Sequence, residues 1–227
     1  MTRSILSLRA SPGERLDLSR LDPVAFAAST QGEVARLPVG MGGGGPLLGD
    51  LFDIRLGDED TLVIEGGSPR FDRLGQGLAA GTIRVVGDVG QLVGRGMTGG
   101  HLDIEGAAGP LAGSGMAGGS IRIGGDADDC LGGTMPGEMA GMRGGQIVVE
   151  GNAGLRAGDR MRRGTIILAA APASVPASFV DNGVAELLFI RLLTGLDPRM
   201  PALPSRLRRL TGDMATIGKG EILLPTE

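Results

Sequence analysis

Aromatic side chains are almost missing from this chain: its 227 residues hold no tryptophan, no tyrosine and five phenylalanines. The stacking platforms that bind single-stranded nucleic acid are therefore absent. A formal net charge of −4 likewise offers no electrostatic footprint for a phosphate backbone. Cys130 is the single cysteine, which excludes an intrachain disulfide and a thiolate cluster for zinc or iron–sulfur. No apolar run approaches the roughly 18 residues of a membrane span. The opening MTRSILSLRASPGERLDL lacks the apolar stretch of a secretory signal. These absences predict a soluble, cytoplasmic chain with no membrane or nucleic-acid partner.

Groups for catalysis are scarce too. His101 is the single histidine, and it opens one copy of the repeat described below, in a polar column. A nucleophile–His–acid triad needs a base held by an acid and a nucleophile in reach. Ser114 and Cys130 are candidate nucleophiles, but no spacing joins either to His101. The run Gly42–Gly45 resembles a phosphate loop only in its glycines, because no Lys followed by Ser or Thr stands at the required spacing.

Glycine is what the chain has in excess, at 43 residues, without a G-X-Y triplet period. Much of it belongs to one repeated sentence: TIRVVGDVGQLVGRGMTGG from Thr82, HLDIEGAAGPLAGSGMAGG from His101 and QIVVEGNAGLRAGDRMRRG from Gln146. A longer copy starts at Thr61, another at Ser120 carries an insert, and TIILAA from Thr165 closes the series. The steps Thr82 to His101, His101 to Ser120 and Gln146 to Thr165 are each 19 residues, and a fixed period near 20 marks a solenoid.

Each copy opens with the period-two alternation of a half-buried strand. One aliphatic column reads Leu62, Ile83, Leu102, Ile121, Ile147, Ile166, and a second reads Ile64, Val85, Ile104, Ile123, Val149, Leu168. Stacked as parallel strands about 4.8 Å apart, both point inward. The column between them, Val63, Arg84, Asp103, Arg122, Val148, Ile167, then points outward and carries an alternating-charge ladder. Exposed pairs of that kind contribute only about 0–1 kcal/mol each. Glycines at the turns supply positive φ and close backbone approach. Leu78, Met97, Met116, Met142 and Met161 form a further column read as core filling. The expected fold is all-β: a right-handed parallel β-helix with coils of about 19 residues. Burying each large aliphatic stabilises by about 1.5–3 kcal/mol, so five or six coils make a core.

The boundaries follow. Residues 1–59 form an N-terminal cap, with irregular strands over 1–38, a short helix around Asp22 to Ser29, where Asp22 is a fair N-cap before Pro23, and an edge strand or cap in LLGDLFDI. Residues 60–170 form the β-helix. Residues 171–227 form a C-terminal extension: the linker AAAPASVPASF, a helix over DNGVAELLFIRLLTG ending at Gly195, the basic stretch SRLRRL and a terminal strand in GKGEILL.

The insert in the fourth copy, within GGDADDCLGGTMPGEMAGMRGG, makes that copy 7 residues longer than its neighbours. Loops that bulge from a regular solenoid usually carry contacts. Asp126, Asp128, Asp129 and Glu138 do not follow the order of an EF-hand loop and read as solvated. Arginine clusters in the last full copy, and arginine is favoured at interfaces. Arg156, Arg160, Arg162, Arg163, Pro136, Glu138 and Met139 are therefore the candidate partner-interface residues. The residues nominate no catalytic, cofactor-binding or metal-binding group in this chain.

The repeat resembles the GxGxG-type β-helix found in the C-terminal domain of the glutamate synthase large subunit and in the C-type subunit of formylmethanofuran dehydrogenase. LLGDLFDI, GGTMPGEMAGMRGGQIVVEG and TGDMATIGKGEILL are closer to the second family, whose bacterial relatives are formyltransferase/hydrolase complexes of methylotrophs. The resemblance covers about residues 45–170 and the final strand. It implies a non-catalytic scaffold subunit in tetrahydromethanopterin- and methanofuran-linked one-carbon metabolism. It also implies partners of three kinds: amidohydrolase-like, formyltransferase and dehydrogenase-B-like subunits, which would hold the metal and the methanofuran-type coenzyme. A composition rich in Ala and Arg with one lysine, Lys219, favours the bacterial complex. A true tungsten or molybdenum dehydrogenase, a glutamate-synthase-related protein and a stand-alone β-helix enzyme are the alternatives.

Overall fold

The structure, a computed structural model, describes residues 2–43, 45–186, 204 and 206–226. The chain opens with β1 (Ser4–Leu8) and the two-residue β2 (Leu16–Asp17), then three short helices, α1 (Pro23–Ala27), α2 (Gln31–Ala35) and α3 (Leu48–Leu51), and β3 (Phe52–Arg55). Next come β4 (Thr61–Glu65), β5 (Phe71–Asp72), β6 (Thr82–Val86), β7 (Thr98–Ile104), β8 (Gly118–Ile123), β9 (Arg143–Val149) and β10 (Arg163–Leu168). β11 (Val180–Glu186), β12 (Arg206–Gly212) and β13 (Lys219–Pro225) complete it.

Eleven of these strands form one mostly parallel sheet in the order β11-β12-β13-β10-β9-β8-β7-β6-β4-β1-β3. The register matches the repeat: Thr61, Thr82, His101, Ser120, Gln146 and Thr165 are successive neighbours. The insert therefore adds its residues outside the strands, without shifting the ladder. Two strands that lie outside the repeat extend the parallel series, β1 beside β4 and β13 beside β10. Antiparallel pairs finish both ends, β3 on β1 and the β11–β12–β13 meander.

Stacking is not confined to this sheet. Val89, Ala108, Ala127 and Ala153 form a second parallel ladder of single bridges. A third line joins the methionine stretches, with Thr98 N donating to Leu78 O, Ala117 N to Met97 O and Arg162 N to Met142 O. Between these lines lies one continuous buried core of the two aliphatic columns, the bridging Val and Ala residues and the Leu78–Met161 column. Glycine is required where the chain bends into it. At Gly94 (φ 63°) and Gly113 (φ 69°), an added Cβ would lie 2.4 Å from the Cδ1 of Ile121 and of Ile147 respectively.

The N-terminal residues close one end of this core. Leu16, Leu18, Phe26, Val34, Leu48 and Phe52 are buried in it, and the Phe52 ring meets Phe71 with centroids 5.8 Å apart. Asp22 caps α1 by accepting from Val24 N and Ala25 N, and Thr30 with Glu33 forms a capping box on α2. Arg15 and Asp72, and Arg73 and Asp17, tie the two sides by ion pairs.

Three expectations need correction. The edge strand expected over LLGDLFDI is confined to its last three residues, because Leu48–Leu51 turn as α3, where Asp50 accepts from Leu47 N, before β3 begins at Phe52. The helix expected to begin at Asp181 is absent over 181–186, where β11 pairs antiparallel with β12; positions 187–195 lie outside the described residues. Gly183 takes φ 72°, and the register shifts between Asp181 and Val184. That bulge breaks a helical path, while Val180 and Val184 favour the strand. The middle column is also not uniformly outward and solvated. Arg84 and Arg122 are not buried, but Val63, Asp103, Val148 and Ile167 are. Its charge ladder is partly diagonal: Arg122 binds Asp103 at 2.8 Å and Glu150 at 2.5 Å, whereas Arg84 reaches past Asp103 to Glu105.

Candidate functional site

The insert folds back over the corner where each copy turns. Thr134 Oγ1 donates to the Glu138 carbonyl at 3.1 Å, and Glu138 N donates to the Met135 carbonyl at 3.0 Å. Arg95, from a copy two turns earlier, holds the Glu138 carboxylate at 2.5 Å. Gly141 N, at the end of the insert, donates to the Arg160 carbonyl at 3.1 Å. So pinned, the loop walls a cleft of about 460 Å³ lined by Thr134, Pro136, Glu138, Arg156, Asp159 and Arg160, among others.

Within it most charge is already neutralised. Arg156 pairs with the buried Asp159 at 2.9 Å, and the hydrogen bond it donates to that carboxylate raises the guanidinium above its ordinary range. Cys130 also lines the cleft, but burial pushes its thiol up, away from the thiolate a nucleophile requires. Arg160 differs from its neighbours: its guanidinium makes no ion pair or hydrogen bond to any described residue, and its hydrogen bonds are main-chain ones, the N–H donating to Asp213 Oδ2 at 3.0 Å and the carbonyl accepting from Gly141 N.

Of the seven interface candidates, Pro136, Glu138, Arg156 and Arg160 thus meet in one cleft, and Met139 stands beside it with 77% of its surface exposed. Arg162 and Arg163 do not line it. Arg162 N is spent on the Met142 carbonyl. Arg163 leads β10 in register with Arg143 and Lys219, a row of three exposed cations across adjacent strands. Sequence reasoning missed Arg95, Asp159 and Asp213. Only Asp159 carried a local signal, three residues after Arg156.

The remaining polar groups of the stack hold it together. His101 Nδ1 lies 2.6 Å from Ser120 Oγ in the neighbouring strand. Their polar column holds Thr82 and Gln146 beside them, not an acid. Ser114 is fully buried. A second groove, of about 440 Å³, runs along the Val89–Ala153 ladder. Its Asp88 and Asp126 accept main-chain N–H groups of Ala107 at 2.8 Å and Asn152 at 2.7 Å. No group of three or more His, Cys, Asp or Glu side chains placed to hold a metal occurs among the described residues. No helix among them is long and apolar enough to cross a membrane.

No family model matches the chain. It is 47% identical, over 98% of its own length and 99% of the relative's, to the C-type subunit of the formyltransferase/hydrolase complex Fhc of Methylorubrum extorquens. Its fold matches a chain in the crystal structure of the formyltransferase/hydrolase complex FhcABCD from the same organism in complex with methylofuran. The TM-score is 0.76 at 38% identity, over 98% of this chain and 100% of that one. Identity at this level over nearly the whole of both chains has one consequence: the chain belongs to the family of C-type subunits of formyltransferase/hydrolase complexes.

Proposed function

We propose that this chain is the C-type subunit of a formyltransferase/hydrolase complex acting in methanofuran-linked one-carbon metabolism, as a scaffold and not as a seat of catalysis. The observation that carries the reading is the end-to-end match to a chain of the complex solved with methylofuran. On this reading the stacked copies over 60–170 wind as a right-handed parallel β-helix, residues 1–59 cap one end, and 171–227 form the extension at the other. The three hydrogen-bonded lines, at the strands, the Val89–Ala153 ladder and the methionine column, support that winding.

The amidohydrolase-like, formyltransferase and dehydrogenase-B-like subunits are then the partners, and they carry the metal and the methanofuran-type coenzyme in the cytoplasm. The chemistry of this chain suits a frame. Its carboxylates at Asp72, Asp88, Asp126 and Asp129 are each engaged by main-chain N–H groups of the next copy. A rigid stack of that kind presents its loops at fixed spacing.

The test compares formyl-group conversion to formate by the partners co-expressed with and without this chain, and with His101→Ala. The scaffold reading expects no turnover by the chain alone, loss of assembly when it is omitted, and unchanged kcat in the His101→Ala complex. Turnover by the isolated chain that disappears in His101→Ala would instead establish an enzyme.

A further inference from the structure

The corner of each copy without the insert carries a triplet that opens on glycine: Gly75-Gln76-Gly77, Gly94-Arg95-Gly96, Gly113-Ser114-Gly115 and, in the last copy, Gly158-Asp159-Arg160. Both outer positions are left-handed. Gly77, Gly96 and Gly115 have φ of 70°, 64° and 67°, and Arg160 has 53°. A side chain is disfavoured in that region, and the copies otherwise place one there two residues before the triplet, at Arg73, Leu92, Leu111, Cys130 and Arg156. Space does not forbid it, since a Cβ at Gly77, Gly96 or Gly115 would meet nothing within 4 Å. The position faces outward, and of these four copies only the one beside the insert fills it.

The backbone role of the position is kept. Gly77 N and Gly96 N donate to the carbonyls of Arg95 and Ser114 in the next copy, at 2.8 and 2.9 Å. After Arg160 there is no next copy, and Asp213 takes that N–H, its other oxygen accepting from Ala215 N at 2.8 Å. Asp213 is therefore occupied by main chain. Arg95 pairs with Glu138 and Arg156 with Asp159, so the Arg160 guanidinium is the one charged side chain lining the cleft without an ion pair. Two hydrogen bonds on the Arg160 peptide also join it to the two chain segments that carry exposed methionines. Gly141, two residues after Met139, donates to its carbonyl, and Asp213, one residue before Met214, accepts its N–H. Met139 is 77% and Met214 54% exposed. Exposed methionine around an unpaired arginine is the make-up of an interface centre.

We infer that Arg160 is an anchor for a partner subunit, which inserts an Asp or Glu side chain into the cleft under the insert and lays apolar surface on Met139 and Met214. The inference rests on the subunit reading above and adds the chemistry of the contact. A planar guanidinium binds a carboxylate through two parallel N–H···O bonds, and the Arg160 guanidinium, which lines the cleft, has no such partner among the described residues.

The test replaces Arg160 with Gly, the residue of the other three triplets, in the co-expressed complex. Association of the chain with its partners is measured across a salt series, and the full chain is melted alone. The expected result is a melting temperature equal to or above that of the wild type, together with a Kd for the partners raised by about ten-fold or more. Met139→Ala should weaken association in the same direction. Undiminished association of Arg160→Gly would overturn the anchor while leaving the subunit reading intact. A lower melting temperature of the variant would also overturn it, because the arginine would then serve the fold. A wild-type chain that retains no partner would overturn the subunit reading, and the anchor with it.

Discussion

The carboxylate of Asp72, fully buried, accepts Arg15 Nε at 2.6 Å and a terminal Arg15 nitrogen at 2.5 Å. It also accepts Gln91 N, one copy further on, at 3.0 Å. One side chain thus clamps the N-terminal segment to the first two copies of the stack. Removing Arg15 leaves a buried carboxylate short of its cation. Arg15→Ala should lower stability by about 1–3 kcal/mol, measured as a shift in the urea midpoint. A change within error would mean that the segment docks by its apolar residues alone.

The pH dependence has a sign fixed by Asp17. Burial pushes its carboxyl up, but the hydrogen bonds from Ser19 and Arg73 together outweigh this and hold it below the usual carboxylate range. A carboxylate depressed in the folded state adds stability that is fully present above its unfolded pKa of about 3.9 and is lost as pH falls through the lower folded value. Unfolding free energy should therefore decline below about pH 4, and Asp17→Asn should flatten part of that decline. Parallel pH profiles of wild type and variant would contradict the assignment.

Backbone and packing demands at the corners can be separated by two glycines two residues apart. Gly113 and Gly115 share nearly the same φ, 69° and 67°, yet an added Cβ meets Ile147 at the first and open space at the second. Gly115→Ala should cost about 1–2 kcal/mol for the left-handed conformation. Gly113→Ala should cost that and about 1–3 kcal/mol more for overpacking. Thermal melts of the two variants give the difference directly, and equal losses would mean the core yields freely to the new methyl group.

The strand columns are legible in the sequence because a repeat forces the same side chain to the same place in every copy. Thr61 to Thr165 and Leu62 to Ile166 pair as their spacing requires. The strands β1 and β13 continue the sheet from outside the repeat. Residues 1–38 read as irregular strands, but SILSL of β1 is too short to reveal that it adds to the parallel series beside β4. At 181–195 the apolar run after residue 186 dominates the pattern and hides the bulge at Gly183. The cleft is half visible: the insert is a break in the period, but Glu138 finds Arg95 across 43 residues, a contact no local pattern carries. Aligning the four corner triplets would find Arg160, since it is the one bulky residue in its position among them.

Native mass spectrometry of the complex recovered on this chain from its own cell tests the subunit reading most directly. The account predicts one stoichiometric assembly of four kinds of subunit, with this chain present and no tungsten or molybdenum. Recovery of the chain alone, or as a complex with itself only, would contradict it.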